Sequence, residues 1–214
     1  DIIFCGTVGE EGLGGMWGMK ALLEDNTDIA ATISIDGAGC DSILFEATGI
    51  RNFEVTYTGP GGHSYVAFGT PSPLHAAARA ISKLSDMRPP ALPMTTFTVS
   101  LIEGGHAIHA IAQKAMFTIN MRSDDPDELE KLQAQALEIF ALGAQEENER
   151  WGSTAITMEY KMILDVPAGS QPSDCDIVQA SWQATECLGI SPVLVPGGCT
   201  NTNMPVCMGI PAVT

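Results

Sequence analysis

Phe53-Glu54-Val55-Thr56-Tyr57 alternates apolar and polar side chains. That period of two marks a strand with one buried face. Downstream of it, residues 73–87 read as a helix with Leu74, Ala77, Ala78, Ile81 and Leu84 on one face. Residues 95–102 and 115–121 read as two further strands. Pro126 opens a long helix that runs to Glu149, and proline is at home in a first turn. Residues 154–162 close the block with a strand. The resulting order β-α-β-β-α-β is the ferredoxin-like pattern. The reading predicts that residues 51–165 form an α+β domain of their own.

The flanks have a different character. Residues 1–50 read as strand, glycine loop, helix, strand, strand. Residues 30–35 are apolar and β-branched, which predicts a strand buried on both faces. Residues 42–47 read as another short strand. Residues 166–214 return to the same α/β style, with a helix over 174–188, a strand over 193–195, a glycine-rich turn over 197–203 and a last strand from 210. The predicted organisation is an α/β domain contributed by 1–50 and 166–214 and interrupted by the insert. The chain opens at Asp1 and ends at Thr214, each inside a strand-like run, so targeting segments lie outside the reading.

Of 214 residues, 45% are hydrophobic and 17% charged, which suits a globular chain with a real core. Asp and Glu number 26 against 10 Lys and Arg, for a formal net charge of -16. Such a chain is a poor partner for nucleic acid, whose binding rests on cationic contacts to phosphate, and for anionic membrane surfaces. No apolar run is long enough for a transmembrane helix. The six cysteines, Cys5, Cys40, Cys175, Cys187, Cys199 and Cys207, form no Cys-x-x-Cys pair. They read as reduced, partly buried thiols of a cytoplasmic protein.

Chemistry concentrates at a few positions. Glu10 and Glu11 sit side by side in a glycine-rich turn, where like charges push one pKa up. With Asp36, which ends the apolar run 30–35, they form a set of hard oxygen donors suited to Zn, Mn or Mg. His63 lies in the turn Gly59-Pro60-Gly61-Gly62-His63-Ser64. It reads either as a turn histidine bonded to backbone or as an imidazole held to meet an anionic group. His106 and His109 flank a short extended segment and could form a metal pair, whereas His75 reads as a structural or surface residue. Arg122 closes an apolar strand and reads as the partner of a carboxylate, the protein's own or a ligand's. The turn 197–203, with Thr200, Asn201 and Asn203, offers hydroxyls, amides and N–H groups that could cradle a carboxylate or oxyanion.

Taken in order, Gly6-Thr7-Val8-Gly9-Glu10-Glu11-Gly12, Ile35-Asp36-Gly37, Gly59-Pro60-Gly61-Gly62-His63-Ser64, Asn120-Met121-Arg122-Ser123 and Thr200-Asn201-Thr202-Asn203-Met204-Pro205, ahead of Gly209-Ile210-Pro211-Ala212-Val213, resemble the co-catalytic zinc peptidases. That family includes aminoacylase, carboxypeptidase G, peptidase T and succinyl-diaminopimelate desuccinylase. The resemblance implies a two-metal α/β domain interrupted by a ferredoxin-like dimerisation or lid domain. It implies a homodimer through 51–165 and hydrolysis of an amide bond in a peptide or N-acyl amino acid. By the same resemblance Glu10 is the general base, and Glu11 and Asp36 are ligands of two different zinc ions, with manganese or cobalt as substitutes. His63 polarises the scissile carbonyl, in many members from the partner subunit, and Arg122, His109, Thr200, Asn201 and Asn203 form the substrate-binding set. The family's His-x-Asp ligand, its bridging aspartate and its last metal histidine have no counterpart in the 214 residues. Asn201 stands where many members have Asp, and His109 where many have Asn. The alternative is a non-catalytic homologue that self-associates or binds and has lost the metal centre.

Overall fold

The computed structural model describes residues 1–37 and 39–214. In chain order its elements are α1 (Trp17–Asp25), β1 (Thr32–Ile33), β2 (Ser42–Leu44), β3 (Gly49–Thr58), β4 (Gly62–His63), α2 (Pro73–Ser85), β5 (Thr95–Gly104), β6 (Ala110–Ile111), β7 (Lys114–Ser123), α3 (Pro126–Trp151), β8 (Thr157–Val166), α4 (Asp176–Cys187), β9 (Val193–Val195), α5 (Asn203–Cys207) and β10 (Ala212–Val213).

The ferredoxin-like order appears as expected. Strands β3, β5, β7 and β8 form one antiparallel sheet in the order β5-β7-β3-β8, and α2 and α3 pack together against it. The alternation read in 53–57 places Phe53, Val55 and Tyr57 under the helices, where they meet Phe117, Phe140 and Leu84. Tyr57 keeps its hydroxyl satisfied by donating to the Phe140 carbonyl at 2.8 Å. The two helices approach closely at Gly143, where a Cβ would lie 2.7 Å from the Ala76 carbonyl oxygen. Helix α3 starts as read, with Pro126 in its first turn and Asp125 accepting from the Glu128 N–H at 2.9 Å. The buried face of α2 is rotated from the expected one. Ala76, Ala77, Ala80 and Leu84 are buried, whereas Ala78 is exposed, because α3 crosses on the alanine side.

The flanking elements are slighter than the sequence suggests. The run Ile2-Ile3-Phe4 forms no strand and is exposed, Phe4 by 93%, since no other described segment pairs with it. The stretch 30–35 yields only Thr32–Ile33, paired in parallel with β10. Ile33 is 65% and Ile35 94% exposed, so the expected burial on both faces is corrected: one neighbouring strand covers one edge and leaves the rest open. Strand β2 pairs in parallel with β9. The cysteines differ too, for Cys5, Cys40, Cys187 and Cys207 are exposed and only Cys175 and Cys199 are part-buried. Among the described residues no helix is long and apolar enough to cross a membrane.

The flanks join the sheet through a buried asparagine. Asn203, at the start of α5, donates from Nδ2 to the carbonyls of Thr48 at 2.8 Å and Pro167 at 3.0 Å, and its Oδ1 accepts from the Thr200 N–H at 2.9 Å. A second clasp runs from the Thr48 hydroxyl to Asp124 at 2.5 Å, with the Gly198 N–H donating to the same hydroxyl at 2.9 Å. These bonds bring the turn 197–203 against the Arg122 end of β7.

Candidate active site

The loop carrying Glu10 and Glu11 is folded back on the start of α1. The Met16 N–H donates to the Gly9 carbonyl at 2.7 Å, the Gly18 N–H to Val8 at 3.1 Å and the Gly14 N–H to Glu11 at 3.1 Å. Gly9 has φ 74, a left-handed backbone that glycine enters without a Cβ penalty. The loop is tied to the C-terminal turn where Asn201 Nδ2 donates to the Thr7 hydroxyl at 3.1 Å. Asn201 Oδ1 is buried and has no hydrogen-bond partner among the described residues.

Between this loop and the sheet lies a cavity of ≈ 240 Å³ lined by Glu10, Glu11, Ile50, Arg122, Leu164 and Cys199. A second cavity of ≈ 270 Å³ adjoins it, sharing Arg122 and Cys199 and adding Thr48, Thr96 and Asp124. Partial burial raises the Glu10 pKa above the ordinary 4.5, and the charges of Glu11 and then Asp36 raise it further. Asp36 therefore stands in electrostatic range of the pair, while its own Oδ1 accepts from the Gly37 N–H at 2.7 Å. Burial pushes the Cys199 thiol up to about 11, with Arg122 opposing and Glu10 adding to the shift. The cavity thus gathers two carboxylates, one guanidinium and one thiol, with the charge of Asp36 acting on Glu10 from outside its lining.

The remaining sequence-read residues divide. Thr200 and Asn203 are close by but buried and engaged internally: Thr200 Oγ1 bonds the Thr214 hydroxyl at 2.7 Å and accepts from the Thr202 N–H at 3.1 Å. His63 and His109 lie elsewhere. They face each other across the antiparallel β4–β6 pair with ring centroids 5.7 Å apart, and the Tyr65 N–H donates to His63 Nδ1 at 3.3 Å. That pair extends the far end of the β3–β7 ladder, whose near end pairs Ile50 with Arg122. Eight residues of strand separate Ile50 from Thr58, roughly 27 Å at the usual rise. Within one chain the histidines do not meet the Glu10 cavity. Cys199, Asp124 and Thr48 were not singled out by sequence reading. Asp124 had a visible signal, being the second residue after Arg122, whereas Thr48 and Cys199 depend on the packing of the two flanks.

A resident zinc ion takes three or four protein donors. Among the described residues no group of three or more His, Cys, Asp or Glu side chains is placed to hold an ion. Glu11 and Asp36 alone do not fit a complete zinc site within this chain.

Residues 45–147 match the peptidase dimerisation domain of the M20 family. Among solved structures the chain is similar to the aminopeptidase PepT from Bacillus cereus, with 25% identity and a TM-score of 0.78. That alignment covers 97% of this chain and 53% of the aminopeptidase. A tripeptidase from Staphylococcus aureus shares the fold at 22% identity and a TM-score of 0.78, again over 97% and 53%. An aminobenzoyl-glutamate utilization protein from Klebsiella pneumoniae shares it at 18% identity and a TM-score of 0.69, over 97% and 53%. The chain therefore spans about half the length of these solved relatives. No curated protein matches it in sequence. Residues 45–147 thus carry the peptidase dimerisation domain of the M20 family, and the chain as a whole shares the fold of about half of the aminopeptidase.

Proposed function

We propose that the chain supplies one part of the catalytic centre of a hydrolase that cleaves an amide bond in a peptide or N-acyl amino acid. The observation that carries this reading is the shared cavity of Glu10, whose carboxyl is held above its ordinary pKa, and Arg122, whose guanidinium is open to a carboxylate. In the proposed reaction the oxygen of a water molecule bonds to the amide carbonyl carbon while Glu10 accepts its proton. Glu10 then delivers that proton to the nitrogen as the carbon–nitrogen bond breaks. A carboxyl with a raised pKa is better matched to this task near neutral pH than an ordinary glutamate. Arg122 holds the substrate's own carboxylate and fixes the amide beside Glu10. A zinc ion would supply Lewis-acid activation to such a centre, and Glu11 and Asp36 are the residues this chain would contribute toward holding it.

His63 and His109 enter this scheme from a second copy of the chain. Their distance from the Glu10 cavity supports a role in trans, with self-association through the dimerisation domain. Strand β5 is an open edge with Leu101 and Ile102 exposed, and open edges tend to be paired or covered. The non-catalytic alternative draws on the incomplete donor set and on Asn201. Both the 214-residue chain and the product of its full coding sequence are to be assayed for release of free amine from N-acetyl amino acids and tripeptides. Release by the full product supports the hydrolase. Its absence, with self-association intact, favours the binding protein.

A further inference from the structure

Arg122 is not free to swing. Its Nε donates to Asn120 Oδ1 at 3.1 Å, two residues earlier on β7. Asn120 Nδ2 in turn donates to Asn52 Oδ1 at 2.5 Å on the neighbouring strand β3, and the two asparagines are direct register partners. The direction of this chain is fixed by chemistry. A guanidinium only donates, so Asn120 must turn its oxygen toward Arg122, its amide nitrogen then faces Asn52, and Asn52 must present its oxygen. All three side chains lie on the sheet face opposite the helices, alternating with the buried Met121 and Phe53. Among the described residues no carboxylate lies within ion-pair distance of Arg122, whereas Arg51 and Arg79 each have such partners.

We propose that Asn120 and Asn52 are positioning residues that hold Arg122 by its Nε edge. This leaves the Nη1 and Nη2 groups to form an end-on, two-bond contact with the carboxylate of the substrate. The inference rests on the hydrolase reading for the identity of the ligand, a carboxylate attached next to an acylated nitrogen. An arginine held along one edge loses less conformational freedom when it binds, and the remaining fork admits a planar carboxylate in one orientation. An amide partner suits this role better than an acid would. Aspartate at position 120 would neutralise the guanidinium and compete with the ligand for it.

The test titrates the 214-residue chain with N-acetylalanine and, separately, with its uncharged carboxamide, following the Arg122 Nε–H signal by proton–nitrogen NMR. In the wild type this N–H should exchange slowly with water, and its signal should move with N-acetylalanine and stay still with the carboxamide. Asn120→Ala should speed the exchange and weaken N-acetylalanine binding about tenfold, the size of one lost hydrogen bond to a charged group. Asn52→Ala should do the same to a smaller degree. Asn120→Asp should keep the N–H protected yet weaken binding at least as much as Asn120→Ala, a split that a purely structural amide would not produce. The proposal is overturned if Asn120→Ala leaves exchange and affinity unchanged, or if the wild-type Arg122 signal ignores N-acetylalanine. Amide hydrolysis is measured separately on the full coding product. If Arg122 binds the carboxylate and nothing is hydrolysed, the hydrolase reading falls and the positioning role stands. Hydrolysis with Arg122 indifferent to the ligand gives the reverse.

Discussion

Arg79 on α2 donates from Nε to Glu147 on α3 at 3.0 Å, and the Glu147 side chain is fully buried at 0% exposure. The same carboxylate accepts from the Ser72 N–H at 3.1 Å and from Trp151 Nε1 at 3.1 Å, with His75 Nδ1 at 3.4 Å. One acid thereby ties the entry of α2 to the last turns of α3. Glu147→Ala would leave the Ser72 and Trp151 N–H groups without their acceptor and Arg79 with Glu146 alone at 3.9 Å, and is expected to cost about 2–3 kcal/mol by chemical denaturation. A loss under about 1 kcal/mol would show that water replaces the carboxylate freely.

The same residue sets an acid limit on stability. Burial opposes its ionisation, but the Ser72 N–H, the Arg79 guanidinium, the Trp151 N–H and His75 outweigh burial and hold its pKa below the ordinary 4.5. A carboxyl depressed in the folded state contributes stability that is complete above its unfolded pKa and is lost as pH falls through the folded value. The difference in melting temperature between wild type and Glu147→Gln should be constant near neutral pH and shrink below about pH 4.5. A difference that grows on acidification would contradict this assignment.

Asn203 spends its side chain on Thr48, Pro167 and Thr200. Asn203→Ala is expected to destabilise the chain by roughly 3 kcal/mol, through two carbonyls and one N–H left unpaired. Asn203→Asp should be nearly as damaging, because it keeps only the acceptor and sets a charge against two carbonyl oxygens. Near-wild-type stability of the alanine variant would free Asn203 for a substrate role.

Cys199 should be the slow thiol of this protein. With its pKa pushed up to about 11 by burial, next to Arg122 and Glu10, little thiolate exists at pH 8, and the thiolate is the reactive form. Peptide mapping after brief alkylation should find the exposed Cys5, Cys40 and Cys187 modified well before Cys199. Cys199 labelling should rise about tenfold per pH unit below its pKa. Early modification of Cys199 would mean an open or differently charged cavity.

The sheet domain was legible because local and global signals agree there. The alternation in 53–57, Pro126 at a helix start and the order of elements all describe one four-stranded sheet under two helices. The flanks were less legible for a physical reason. Ile2, Ile3, Phe4, Ile33 and Ile35 are apolar enough to be strands, but a strand is stabilised by its neighbours, and the described neighbours cover only one edge of β1 and none of 2–4. Around the cavity, Glu10 and Glu11 were visible as paired acids in a glycine-rich turn and Arg122 as a charged residue closing a strand. The separation of His63 and His109 from them was not visible, since it follows from the length of β3 and β7 rather than from any motif. The Asn52–Asn120 contact was equally hidden, because residues 68 apart become register partners only once the sheet has formed.

The account depends most on Glu10 as the proton carrier for amide hydrolysis. The decisive measurement compares wild type with Glu10→Gln in the full coding product, reading turnover of an N-acetyl amino acid across pH. The wild-type rate is expected to rise as Glu10 loses its proton, with a midpoint above 4.5, the direction set by burial and the charges of Glu11 and Asp36. Glu10→Gln is expected to lower turnover about 10²–10⁴-fold, the usual worth of a positioned base, while leaving the folded state intact by circular dichroism. A folded Glu10→Gln variant that keeps more than about a tenth of the wild-type rate, with the same pH profile, would contradict the account.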